Sequence, residues 1–187
     1  DIYVAGGCFW CLEPLFEDLE GVTEVEVGYA GGQSAQTNYR EVCGGQTGHA
    51  EALRIVYDST KISAHDLFTI FFTVHNPTTL NQQGPDHGTQ YRSAIFYRTE
   101  AEHELAVKVK NEITAAKIWP QPIVTSFEPL KNYCRAEEYH QDYYAKYDKA
   151  TPEERMSMNA GYCSAVVSPK VAKFRKEFAA KLKKKKS

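Results

Sequence analysis

The chain has 187 residues, 42% hydrophobic and 25% charged, which is the size and balance of one ordinary globular domain and excludes a disordered or collagen-like chain. Its net charge of −2 is unevenly spread: residues 168–187 carry nine Lys or Arg against Glu177, leaving the first 167 at −10. A body that acidic argues against nucleic-acid binding, because phosphate contacts need a basic face on the fold itself.

No apolar run reaches the roughly 18 residues of a membrane span, so the chain reads as soluble, with no membrane or nucleic acid among its partners. Residues 1–5 (DIYVA) form an apolar strand that runs into Gly6-Gly7. Residues 8–19 read as a helix, with Phe9, Leu12, Leu15, Phe16 and Leu19 at three- and four-residue spacing, although Pro14 leaves its boundary open. Residues 22–29 alternate as a half-buried strand. Residues 30–48, rich in Gly, Asn, Gln and Ser, read as a long loop carrying Tyr39 and Cys43. Strand 51–57, amphipathic helix 62–74, a second long loop over 75–91, strand 93–97 and helix 100–117 follow. A last strand falls at 124–127, and helical segments at 136–147 and 171–182 complete the chain.

The first six elements follow the split βαβ order of ferredoxin-like folds, so the expected class is α/β (α+β) with a mixed sheet, long functional loops and an extended C-terminal segment. No linker or repeat divides it. Residues 1–187 read as a single catalytic domain in which 150–187 form a C-terminal segment with a basic tail, expected to be solvated and frayed. Nothing suggests an obligate interface, so a monomer is expected.

Five cysteines, Cys8, Cys11, Cys43, Cys134 and Cys163, make an odd count in a chain long enough to bury its own core. That points to thiol chemistry or a metal rather than a disulfide framework. No signal peptide is visible, and a cytoplasmic location is expected, weakly constrained because the chain starts at Asp1.

In Gly6-Gly7-Cys8-Phe9-Trp10-Cys11 a strand ends, two glycines turn, and a cysteine meets a helix start. Unpaired N–H groups there favour a thiolate, and a buried core cysteine is the equal alternative. The Cys8-x-x-Cys11 spacing also fits a thioredoxin-like thiol–disulfide oxidoreductase, or half of a zinc site with Cys43 and His49 as the nearest further candidates. No second metal motif appears, and no metal is assigned.

Glu51 lies where a Gly-rich loop becomes an apolar strand. Desolvation there would keep its carboxyl protonated as a general acid, whereas at a strand edge it would face water. In the loop that ends at Ser93, Asp86 and Tyr91 are the plausible chemical members, against a reading of Asp86-His87-Gly88 as turn chemistry.

Four separated stretches, GCFWC, NYREVCGGQTGHAEA, HNPTTLNQQGPDHGTQYRSAIF and EEYHQDYY, resemble the A-type peptide methionine sulfoxide reductases, in order across residues 5–144. The resemblance implies reduction of the S epimer of methionine sulfoxide, free or in oxidised proteins. Cys8 would be the nucleophile and Glu51 the acid that protonates the sulfoxide oxygen. Tyr39 and Tyr91 would bond that oxygen, Asp86 would help to fix the site, and Phe9 and Trp10 would cage the S-methyl. It further implies a Cys8 sulfenic acid, resolved to a disulfide that thioredoxin or another dithiol reduces, with no prosthetic cofactor. Cys163, in a mobile C-terminal segment, matches the resolving thiol; Cys11 is the rival, disfavoured if both cysteines share one helix. Residues 139–144 are expected to support the site wall. His49, His75 and His87 are given no catalytic role.

Overall fold

A computed structural model describes residues 1–184. Strand β1 (Ile2–Gly6) leads through Gly7 into helix α1 (Phe9–Glu17), and β2 (Val22–Ala30) follows the turn at Gly21. A short helix, α2 (Tyr39–Cys43), interrupts the first long loop, with the Asn38 side chain accepting the Glu41 amide as its cap. Then come β3 (Ala50–Tyr57) and α3 (Ala64–Val74), the latter capped by Ser63. The second long loop holds a two-residue hairpin, β4 (Gln82–Gln83) with β5 (Asp86–His87), and a 3-10 turn at Thr89–Tyr91. Strand β6 (Ser93–Tyr97), helix α4 (Glu100–Ala115), β7 (Ser126–Pro129) and β8 (Tyr133–Arg135) complete the sheet. The remainder is helical: a 3-10 turn at Glu138–His140, α5 (Tyr143–Lys149), α6 (Pro152–Arg155), α7 (Ala160–Tyr162), a π-helical turn at Cys163–Val167 and α8 (Ser168–Glu177).

The sheet runs β7-β6-β1-β3-β2-β8. Its four central strands are antiparallel neighbours in the order of the split βαβ arrangement, and the one parallel pair, β6 with β7, makes the sheet mixed. Successive side chains of a strand point to opposite faces. Val4, Val27, Leu53, Ile55 and Ile95 therefore meet Leu12, Leu15 and Phe16 of α1 and the phenylalanines of α3 in the main core. Tyr3, Ala5, Ala52, Ala94 and Phe96 face the other way, under Leu130 and Tyr133.

Four sequence expectations change. Pro14 lies inside α1, where it removes one helical hydrogen bond without ending the helix. Helix α2 and strand β8 had no counterpart in the sequence reading. The expected strand at 124–127 begins two residues later and pairs parallel to β6. The basic C-terminal region is docked rather than frayed as far as Lys184. Val171 and Phe174 are buried, Arg175 Nε donates to Asp18 at 2.7 Å, and Lys183 Nζ donates to the Glu17 carbonyl at 2.7 Å. That places an ammonium at the negative end of α1. Lys185 and Lys186, part of the expected basic tail, fall outside the described residues. Among the described residues no helix is long and apolar enough to cross a membrane.

Candidate active site

Cys8 is the N-cap of α1, with extended φ/ψ of −60°/125°, so its side chain stands in front of the helix rather than along it. The strand-to-helix turn depends on both preceding glycines. A Cβ on Gly7, where φ is +96°, would lie 2.5 Å from Gln83 Cγ, and one on Gly6 would lie 2.9 Å from the His75 ring. The close approach of the 82–87 hairpin to this turn brings Asp86 beside the cysteines.

A cavity of about 100 Å³, lined by Cys8, Phe9, Trp10, Tyr39, Glu51, Asp86, Tyr91, Asn159 and Tyr162, opens above Cys8. It brings together all seven residues expected to act on the substrate. They come from β3, both long loops and α1, so only the folded sheet assembles them. The volume suits the end of one side chain; whole small-molecule ligands need roughly 300 Å³ or more.

Glu51 sits on β3, paired with Tyr29 of β2, and is 2% exposed. The water-facing alternative is therefore excluded. Burial pushes its carboxyl up to about 8, aided by the nearby Asp86 and Cys11 charges and opposed by the Phe9 amide, which donates to Oε2 at 3.0 Å. Near neutral pH the group holds its proton. Burial likewise raises Tyr39 and Tyr91 above the ordinary phenol range, so both present neutral O–H donors.

One wall is aromatic. Trp10 stacks on Tyr143 with ring centroids 3.9 Å apart and planes within 6°, and its indole N–H donates to His140 Nδ1 at 3.1 Å. Phe9 is buried beneath, 5.2 Å from His140 and 5.8 Å from Tyr29 between centroids. The 139–144 segment thus holds the wall in place, as expected. His49 is spent on backbone groups of Gly32 and Ser34, and His75 on Phe71 and Ser93.

The thiols differ from the sequence expectation. A helix N-terminus was expected to lower Cys8; instead burial raises its thiol well above the usual range, reinforced by its coupling to Cys11. Cys11 is lowered to about 7, chiefly by its close coupling to Cys8. Cys163 lies in the ordered π-helical turn, fully buried and outside the cavity, and burial lifts its thiol to about 11. Cys43 is exposed, and Cys134 Sγ lies 3.6 Å from the Thr37 carbonyl. The zinc alternative has no support: among the described residues neither Cys8 nor Cys11 belongs to a metal-holding group with Cys43 or His49.

Two cavity residues escaped the sequence reading. Tyr162 donates its O–H to Asp86 Oδ2 at 2.6 Å and lies 3.5 Å from Cys11 Sγ, bridging the carboxylate and the thiol pair. Asn159 caps α7 and carries Tyr162 into position, accepting its amide at 3.4 Å. The available signal was the Asn-Ala-Gly-Tyr-Cys stretch, which was read only for its cysteine.

A cysteine thiol at a cavity shared with a protonated buried acid, hydroxyl donors and an aromatic wall defines a thiol-based oxidoreductase site. The profile of the family described as peptide methionine sulfoxide reductase matches residues 1–182, and the chain belongs to that family. It is 49% identical over 179 residues to a peptide methionine sulfoxide reductase MsrA of Deinococcus radiodurans, covering 96% of this chain and 82% of the relative. Among solved structures it resembles Mxr1 from Saccharomyces cerevisiae in reduced form, at TM-score 0.72 and 38% identity, covering 80% of this chain and 86% of that one. It also resembles Mxr1 in complex with Trx2, at TM-score 0.52 and 28% identity, with coverage of 76% and 82%.

Proposed function

We propose that this chain reduces the S epimer of methionine sulfoxide, free or within proteins, with Cys8 as nucleophile and Glu51 as general acid. The observation that carries the reading is the convergence of Cys8, a protonated Glu51, two phenolic donors and Trp10 on one side-chain-sized cavity. A sulfoxide sulfur is pyramidal. Fixing its oxygen at Glu51, Tyr39 and Tyr91, its methyl against Trp10 and its attacked face over Cys8 leaves one direction for the rest of the substrate. One epimer then reaches the cavity mouth, and the family likeness supports assigning it as S.

In the first step Cys8 Sγ bonds to the sulfoxide sulfur while the Glu51 proton passes to the oxygen. The original S–O bond then breaks as the hydroxyl bonds to Cys8 Sγ. The transient bond between Cys8 Sγ and the substrate sulfur breaks with its electron pair going to the departing methionine, whose sulfur is thereby reduced by two electrons. The oxygen ends on Cys8 as a sulfenic acid, and the Cys8 thiol proton replaces the one lost by Glu51. Donors aimed at the oxygen stabilise the charge that builds on it. Reduced methionine would leave those buried donors unpaired, which disfavours product binding.

Cys11 resolves the sulfenic acid. Its thiolate attacks Cys8 Sγ, an S–S bond forms, and the hydroxyl leaves and takes a proton as water. The objection to two cysteines on one helix loses force because Cys8 is the extended N-cap residue. The Cys11 amide donates to the Cys8 carbonyl at 3.0 Å, so the two share the first turn, whereas Cys163 is fully buried outside the cavity with its thiol lifted to about 11. Thioredoxin or a similar dithiol then reduces the disulfide, a role supported by the likeness to Mxr1 in complex with Trx2. A general thiol–disulfide oxidoreductase would leave Glu51, Tyr39 and Tyr91 without a task.

The test supplies resolved S and R methionine sulfoxides with dithiothreitol. Turnover of the S form alone, lost in Cys8→Ser, is expected. Equal turnover of both epimers, or activity retained in Cys8→Ser, contradicts the assignment.

A further inference from the structure

Further along α1, below Trp10, Glu13 and Glu17 stand one turn apart on the same face. Asp142, in the left-handed region at φ 53°, closes over them from the turn before α5, and its amide donates to Glu13 Oε1 at 2.8 Å. One carboxylate oxygen from each of the three lies within 4.8 Å of the others. Burial, and after it the like charges held that close, push Glu13 up to about 7 and Glu17 up to about 9.

An independent feature points to a missing ligand. Glu13 is 1% exposed, yet its Oε2 is buried with no hydrogen-bond partner. A buried carboxylate oxygen without a partner is costly and calls for an explanation, an unseen ion among them. Among the described residues none of the three carboxylates forms an ion pair. The nearby Lys146 directs its ammonium to the Glu138 carbonyl, at 3.4 Å, and Lys183 directs its own to the Glu17 carbonyl. A cavity of about 310 Å³ whose lining includes Glu17, Asp142 and Glu24, with Arg135 paired to Glu26 on its far wall, gives the cluster a route to solvent.

We infer that Glu13, Glu17 and Asp142 form a binding site for a hard divalent cation of the Ca²⁺, Mg²⁺ or Mn²⁺ class. An all-oxygen donor set without thiol or imidazole selects that class over zinc or copper. The cation supplies the positive charge that the three converging carboxyls lack. It also ties α1, whose N-cap is Cys8, to the segment whose His140 and Tyr143 hold Trp10. The site is separate from the sulfoxide chemistry, and its occupancy is readable without turnover.

Protein freed of metal with EDTA and transferred to chelator-free buffer is titrated with Mn²⁺, read by loss of the free-ion electron paramagnetic resonance signal, with Ca²⁺ and Mg²⁺ as competitors. One saturable Mn²⁺ per chain is expected, with Kd of about 10⁻³ M or tighter, displaced by Ca²⁺ or Mg²⁺. Glu17→Gln and Asp142→Asn each weaken binding at least about tenfold, while Glu20→Gln, an exposed acid outside the triad, leaves it unchanged. Metal-free melting temperatures confirm that the variants are folded. No saturable binding, or equal binding by wild type and both triad variants, overturns the inference and leaves the carboxyls sharing protons alone.

Discussion

Glu51 carries two opposed consequences of one burial. Its folded pKa, about 8, lies well above the ordinary 4.5, so the acid form needed for oxygen protonation persists through neutrality. Single-turnover rates should therefore decline as pH rises through about 8. Stability follows the same proton. Between pH 4.5 and 8 the folded chain holds it and the unfolded chain does not, so this residue's contribution worsens as pH rises. Glu51→Gln, which removes the titration, should slow sulfenic acid formation by about 10²- to 10⁴-fold. The same variant should melt higher than wild type at pH 8, with the gap closing by pH 5. A rate unchanged by the substitution would remove Glu51 from the chemistry. Burial also explains why the helix-dipole expectation for Cys8 failed: desolvation of a thiol in a closed turn outweighs a partial charge.

At the scale of elements, the turn from β1 into α1 is the most constrained. Gly7→Ala would combine positive φ with a Cβ 2.5 Å from Gln83, so it should destabilise the fold by about 1–3 kcal/mol, measured by urea unfolding. It should also raise KM by displacing the hairpin that bears Asp86. This turn was legible because strand, paired glycines and helix start are consecutive in the chain. Strand β6 was legible with its bounds, since five mostly apolar residues follow a polar loop. Helix α2 was not, because five residues behind an Asn cap carry too little periodicity to stand out of a Gly- and Gln-rich stretch. Strand β8 has three residues, none fully buried, and owes its existence to pairing with β2. Tyr162 was hidden for a different reason. Its partner Asp86 is 76 residues away, and only packing of the C-terminal helices makes them neighbours.

Across the whole molecule, the C-terminal helices act as a structural strap over α1. Phe174 is 3% exposed, and Phe174→Ala should cost about 3–5 kcal/mol of unfolding free energy. Arg175→Ala removes the exposed pair with Asp18 and should cost under about 1 kcal/mol. If both cost the same, packing is not what holds the strap. The strap also delivers Tyr162 to the cavity and buries Cys163 beneath it. The acidic body and basic end, read from the sequence as a solvated contrast, in part satisfy one another here through Arg175 and Asp18.

The central claim is that Cys8 takes the oxygen and Cys11 answers it. Reaction of the reductant-free chain with one equivalent of methionine S-sulfoxide, quenched with a thiol-alkylating reagent and mapped by peptide mass spectrometry, tests both halves at once. The account predicts one methionine released per chain, a Cys8–Cys11 disulfide in wild type and a Cys8 sulfenic acid that persists longer in Cys11→Ser. Methionine released by Cys8→Ser, or a first disulfide joining Cys8 to Cys163 while Cys11 remains alkylated, would contradict it.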